Sequence, residues 1–386
     1  MKTCELTAFE ASFTETAYWM AYFIFPIPIA MFMKRYSYKA GILFGLLLAA
    51  FGSLLFFPAA MIKSYWAYLG VFFIIATGIC FLETAANPYV TVLGDPETAS
   101  KRLNLAQSFN GLGAFIAAMF FSKLILSGQH YTRETLPVDY VGGWEGYIQF
   151  ETDSMKLPYL LLAGMLIVIA VVFYASKIPP IPEEENKDHA STEKLIDFRV
   201  LKRSHLRWGV ISQFFYNGGQ TAINSLFLVY CCTSQVSRKI WRPLSLGFIC
   251  CILVGALDRY FLMGYFRPQN MLLVYALVNI VLCGVITVYG GLVGVYAMIA
   301  ISFFMWIMYP TQFSLAVTDL GRETKSGSAF LVMAIVGNAC LPQLTAFVMS
   351  HYPTMYQVSY LYLWYALYSV LIMDGKDTES LIKDFK

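Results

Sequence analysis

Apolar runs long enough to cross a bilayer recur along this chain, and that recurrence leaves few architectures open. A helix needs roughly 20 apolar residues to span hydrocarbon, where its backbone groups must bond to one another. Eleven such runs are read, near 14–33, 41–61, 66–93, 104–127, 157–176, 207–231, 243–264, 271–288, 292–313, 327–349 and 357–373. They predict an all-α integral membrane protein with about 11 spans. Charged residues make up 13% of the chain against 58% apolar, too few to cover a soluble domain of this length. The 17% aromatic share suits interfacial belts of Tyr and Trp.

Several function classes drop out. A net charge of +3 without a dense basic cluster gives no nucleic-acid signature, so no nucleic-acid partner is expected. Of the eight cysteines, all but Cys4 fall in apolar runs, and the adjacent pairs Cys231–Cys232 and Cys250–Cys251 lack the CxxC spacing of a metal clip. No metal site or disulfide framework is expected. GxxxxGK[ST], GxSxG and HExxH are all missing, and His130, His189, His205 and His351 lie in predicted loops or ends. This disfavours enzymes and primary pumps, so no catalytic centre and no cofactor are expected. Met1–Glu10 carries Lys2, Glu5 and Glu10, and the first apolar run ends at Lys34-Arg35 without a cleavage site, so no signal peptide is read.

Lys and Arg in the connecting segments set orientation. With Lys34–Lys39 placed inside, the inner segments hold 18 of them and the outer ones 7. The C-terminus is then cytoplasmic and the N-terminus external. Segment 128–156 reads as an acidic external loop. Segment 177–206, Pro-rich and then highly charged, reads as a cytoplasmic linker. It divides the chain into an N-terminal bundle of five spans at 1–176 and a C-terminal bundle of six at 207–386. Transporters of two similar six-helix bundles share that plan, with the first bundle here one helix short.

Ionised carboxylates cost several kcal/mol in hydrocarbon, so Glu83 requires a reason to sit mid-span in FIIATGICFLETAANPYVTVL. It is either a neutral or hydrogen-bonded structural carboxyl or a protonatable group facing a water-filled cavity. Burial favours the uncharged form, which makes proton exchange possible. Asn87, four residues on, shares its helix face, and Pro88 is expected to kink the helix and free carbonyls. Thr84 and Thr91 can bond back to their own helix. The next span places Asn104, Gln107 and Asn110 on one face, with Gly111 and Gly113 available for close helix approach. In the second half, Asn217, Gln220 and Asn224 share a face, with Tyr216 at its edge. Each amide face is open to two readings, interhelical glue or the lining of a polar cavity. Amides both donate and accept, which suits sugar hydroxyls. Asp258-Arg259 reads as an interfacial pair, and Lys123 as a snorkelling side chain.

YFIFPIPIAMFMKRYSYKAG at 22–41, FLETAANPYVTVLG at 81–94, RLNLAQSFN at 102–110, FFYNGGQTA at 214–222 and YPTQFSLAVTDLGRETKSGSAFLVMAIVGNA at 309–339 go beyond hydrophobicity. Together they resemble the fucose permease-type sugar:proton symporters of the major facilitator superfamily, in order along nearly the whole chain. The resemblance implies the two-bundle major facilitator fold and proton-coupled uptake of a monosaccharide, L-fucose or a related hexose. The carrier would be a monomer in the cell inner membrane, with the sugar, protons and the lipid bilayer as partners. It further implies proton coupling at Glu83 and sugar contacts at Gln107 and Asn110. Asn87, Asn217 and Gln220 are the remaining candidate sugar ligands. Two departures stand out. The family has a further helix, bearing an aspartate, before the stretch matching Leu6–Phe23, and a Gly-Arg pair where this chain has Gly255-Ala256. The rival expectation is a truncated, non-transporting remnant or sugar sensor; a start codon assigned too late is the third.

Overall fold

The computed structural model describes residues 8–62, 64–117, 131, 135–137, 140–177, 197–233 and 265–351, and every regular element among them is helical. Expected spans 243–264 and 357–373, residues 118–127, the linker core 178–196, Lys123, Ala256, Asp258-Arg259, His130 and His189 lie outside the described residues.

Helices α1 (Ala8–Ile24) and α2 (Pro26–Arg35) form one run bent by 42°. Pro26, which has no N–H to give to the preceding turn, starts a new helix at the bend. Lys34 and Arg35 close α2, where cations meet the negative end of the helix dipole. α3 (Tyr38–Leu54) is capped by the Ser37 hydroxyl, which accepts from the Ala40 N–H at 3.0 Å. With α4 (Phe56–Ile62) it makes one 25-residue apolar span. α5 (Tyr65–Val92) stays helical through Pro88. The Thr91 hydroxyl donates to the Pro88 carbonyl at 2.7 Å, and Thr84 donates to Cys80 at 2.8 Å, each within its own helix.

After a 3-10 turn at Pro96–Thr98 comes α6 (Ala99–Ile116). α7 (Gly143–Ala175) corrects the expectation of a loop over 128–156, because 143–156 are its first turns. Gly142 and Gly143 take positive φ there, Gln149 donates to Asp153 at 3.0 Å, and Lys156 pairs with Asp153. At 33 residues α7 is ~50 Å long against ~30 Å of hydrocarbon, so its polar start extends beyond the apolar layer.

Beyond the linker, α8 (Ser204–Thr233) is followed by α9 (Pro268–Tyr289), α10 (Gly291–Met305), α11 (Met308–Val317), α12 (Thr324–Met333) and α13 (Gly337–His351). Gly290, at φ 58, lets the chain reverse between α9 and α10. Six described helical stretches are long and apolar enough to cross a membrane, seven with the bent α1–α2 pair. α8 is not among them, and its amide face is the cause.

The described residues group into two compact units, one within Met1–Ala85 and Ile116–Pro180, the other within Ala86–Phe115 and Ile181–Lys386. In the first, small residues bring α3 and α5 together. A Cβ on Gly78 would meet the Ala49 nitrogen at 2.5 Å, and one on Gly45 would meet the Gly78 oxygen at 2.9 Å. Phe56 stacks on Tyr159 at 4.1 Å beside buried Val71 and Ile75. In the second, Tyr216, Ile223 and Phe227 of α8 pack with Leu272 and Ile286 of α9 and Met298 and Ile301 of α10. Gly218 and Gly337 set α8 against α13, since a Cβ on Gly218 would meet the Gly337 oxygen at 2.6 Å. Gly113 has no such role among the described residues, for a Cβ there meets nothing within 4 Å.

Gly78→Val should therefore overpack the α3–α5 crossing by about 1–3 kcal/mol. Loss of monodisperse protein and a lowered apparent Tm are expected in size-exclusion and thermal scans. Gly70→Ala, where an added methyl meets nothing within 4 Å, should leave both unchanged.

Candidate functional site

In the first unit, α5 carries Glu83 half-buried, with Thr84 and Ala85 fully buried beside it. Tyr18 and Tyr22 of α1 and Cys80 of α5 stand within electrostatic reach of the carboxyl. The two phenol rings lie 6.0 Å apart, and Trp19 packs on both. Tyr22 is only 4% exposed. Cys80 and Thr84 spend their polar atoms on their own helix, leaving Glu83 as the titratable carboxyl of this stretch.

In the second unit, three of the expected residues join in one chain of side-chain hydrogen bonds. Asn110 Nδ2 donates to Gln107 Oε1 at 3.3 Å, Gln107 Nε2 donates to Asn87 Oδ1 at 3.1 Å, and Asn87 Nδ2 donates to the Tyr309 hydroxyl at 3.4 Å. Exposure rises along it, from buried Asn87 through half-buried Gln107 to exposed Asn110. Asn110 Oδ1 accepts no hydrogen bond among the described residues. The outer amides can thus exchange bonds with a hydroxylated ligand while Asn87 anchors them.

Helix α8 presents its amides differently. Asn217, 5% exposed, donates to the Gln213 carbonyl at 2.7 Å and to Gln213 Oε1 at 2.8 Å. Gln213 in turn donates to the Tyr309 backbone carbonyl at 3.0 Å. The Asn217 amide is therefore turned to orienting Gln213. Gln220 is half-buried and makes no hydrogen bond among the described residues, and Asn224 is exposed. Thr221, on the same stretch, donates to Asn338 at 2.8 Å.

Tyr309 and Gln213 were not among the expected site residues. Tyr309 bonds the first amide chain through its hydroxyl and Gln213 through its carbonyl, so it joins both sets. It sits at the start of YPTQ, a polar interruption of the apolar run 292–313, and that interruption is the signal that could have found it. Gln213 lies one turn before Asn217 on the same helical face. No cluster of three or more metal-ligating side chains occurs among the described residues.

The Major Facilitator Superfamily model matches residues 2–342. The L-fucose-proton symporter of Escherichia coli K12 is 38% identical over 347 residues, covering 89% of this chain and 79% of that one. A glucose/galactose transporter of Brucella abortus is 36% identical over 326 residues, 83% of this chain and 74% of that one. The crystal structure of the transporter FucP in its outward conformation superposes with a TM-score of 0.87 at 35% identity, covering 97% of this chain and 91% of that one. The proton:xylose symporter XylE shares the fold, at a TM-score of 0.70 and 11% identity, over 98% of this chain and 88% of that one. The rival of a non-transporting remnant is not favoured by these relatives, all of them transporters by name. With its apolar helices, its amide chain and a 38% identical relative matched over most of both lengths, this chain is a multi-pass membrane protein of the major facilitator superfamily, of the fucose permease type.

Proposed function

We propose that the chain is a proton-coupled secondary transporter that takes up a monosaccharide, L-fucose or a related hexose, by alternating access. The observation that carries this reading is the graded chain Asn87–Gln107–Asn110, which starts one helical turn beyond Glu83 on α5. The names of the relatives, a fucose–proton symporter and glucose/galactose transporters, support the substrate class.

In this account Glu83 carries the coupled proton. Protonation removes a charge from the span, so the neutral state is free to adopt arrangements in which an ionised carboxylate would be desolvated. The phenols of Tyr18 and Tyr22 supply a polar face to either form. Gln107 and Asn110 bond the sugar hydroxyls, donating through N–H and accepting through oxygen. Asn87 holds Gln107 in register. Asn217 positions Gln213, and Gln220 offers a further amide from the second half. The carrier works as a monomer in the lipid bilayer of the cell inner membrane. Its bundles at 1–176 and 207–386 are joined by a cytoplasmic linker at 177–206, and its C-terminus is cytoplasmic, as the Lys and Arg distribution supports.

Two variant sets test this. Glu83→Gln keeps size and hydrogen bonding but cannot release a proton. It should retain sugar counterflow in proteoliposomes while losing accumulation driven by a pH gradient; undiminished accumulation would refute the role of Glu83. Gln107→Ala removes a ligand together with its bonds to both neighbours, so its KM for sugar should rise about fivefold for each sugar hydrogen bond lost, at about 1 kcal/mol apiece. Asn217→Ala, which acts through Gln213, should shift KM less. Equal KM values for all three proteins would refute the assignment.

A further inference from the structure

Next to the amide chain, α6 and α11 meet along a second polar strip. The Ser100 and Ser314 hydroxyl oxygens lie 2.5 Å apart, and Asn104 Nδ2 donates to Thr311 Oγ1 at 3.1 Å. Ser100 and Asn104 are four residues apart on α6, and Thr311 and Ser314 three apart on α11, so each pair shares a face. All four are buried, with Asn104 and Thr311 at 0% exposure. One turn on, Ser108 bonds back to the Asn104 carbonyl at 2.9 Å.

The strip lies at the end of the helices that carries the two basic turns. Arg102 holds the first turn by donating to the Val90, Thr91 and Asp95 carbonyls and the Thr98 hydroxyl. Arg203 holds the second by donating to the Asp319 carbonyl at 2.8 Å and pairing with Glu323 at 3.3 Å. Each arginine clamps a turn within its own half of the sequence. The four strip residues, which bond the halves to each other, carry no charge.

We infer that Ser100, Asn104, Thr311 and Ser314 form a neutral latch, which closes the transport path on the side of the basic turns and parts to let substrate pass. The inference rests on reading the chain as an alternating-access carrier. Three features suit these contacts to repeated opening. Asn104, Thr311 and Ser314 each keep a second bond within their own helix, to Ser100 O, Ile307 O and Thr311 O, so parting the helices strips none of them bare. Asn104 Oδ1 is buried without a hydrogen-bond partner among the described residues, so hydration on opening returns a bond that closure withholds. Finally, none of the four strip residues is charged, so their contacts include no ion pair to separate.

The test is a reversible cross-link. Hydroxyls this close place cysteines at Ser100 and Ser314 within disulfide reach. In proteoliposomes the Ser100→Cys/Ser314→Cys protein should lose sugar counterflow (L-fucose, D-glucose and D-galactose) about tenfold or more on oxidation and regain it with dithiothreitol. The single variants, treated alike, should not change. A cross-linked protein, its disulfide verified by mass, that transports at the reduced rate overturns the latch and leaves the proposed function standing. A second measurement does not depend on transport. Ser314→Cys alone should react slowly but completely with N-ethylmaleimide as the strip opens, whereas a thiol that stays unreacted throughout overturns the latch. Absence of counterflow in wild-type protein counts against the proposed function, and alkylation then decides the latch by itself.

Discussion

Hydrocarbon offers no water to a polar group, and this constraint sorts every Ser, Thr, Asn and Gln in the spans by where its hydrogen bonds go. Among the described residues many hydroxyls turn inward to their own helix, as Ser53 does to Ala49, Thr77 to Phe73, Thr152 to Ile148 and Thr287 to Cys283. Such side chains are satisfied without a neighbour and say little about function. The amides are different, because a carboxamide has two donors and an acceptor and one turn of helix cannot satisfy them all. They reach across helices, and Asn87, Gln107, Asn110, Gln213 and Tyr309 accordingly form the polar thread of the second unit.

The same constraint separates permanent contacts from exchangeable ones. Where Gly45 and Gly78 let α3 and α5 touch, or Gly218 and Gly337 let α8 and α13 touch, backbone lies against side chain or backbone, and any added carbon collides. Those crossings are fixed by shape. Asn110 is exposed with an open acceptor, so its bonds can be traded for those of a ligand. Glu83 is the one group among these with an ionisable side chain, and it is half-buried.

Much of this was legible in the sequence, for a physical reason. Span length and the amide faces follow from periodicity, so the helices around 41–61, 66–93, 207–231 and 271–288 and the shared face of Gln107 and Asn110 came from residue spacing, whereas the bond from Gln107 to Asn87 on the neighbouring helix did not. Other features did not. The helical start of α7 is polar, and polarity reads as loop even when the residues only extend a helix past the membrane. Asn217 shares a face with Gln220, yet its Nδ2 is spent on Gln213 one turn earlier, and the hold of Gln213 on the Tyr309 carbonyl of another helix is a tertiary contact that spacing does not show. Tyr309 was hidden because a tyrosine beside a proline in an apolar run is ordinarily an interface residue. The polar interruption YPTQ marks its position, and the partner across 222 positions shows what it bonds.

Proton movement driven by sugar tests the central claim most directly. Purified protein is reconstituted in vesicles with an entrapped pH dye, at equal pH on both sides, and an inward gradient of L-fucose, D-glucose or D-galactose is imposed. Proton-coupled symport predicts acidification of the lumen that tracks sugar entry, ceases when the sugar gradient is dissipated and is lost in Glu83→Gln. Sugar entry with no change in luminal pH, or acidification that persists in Glu83→Gln, would contradict it.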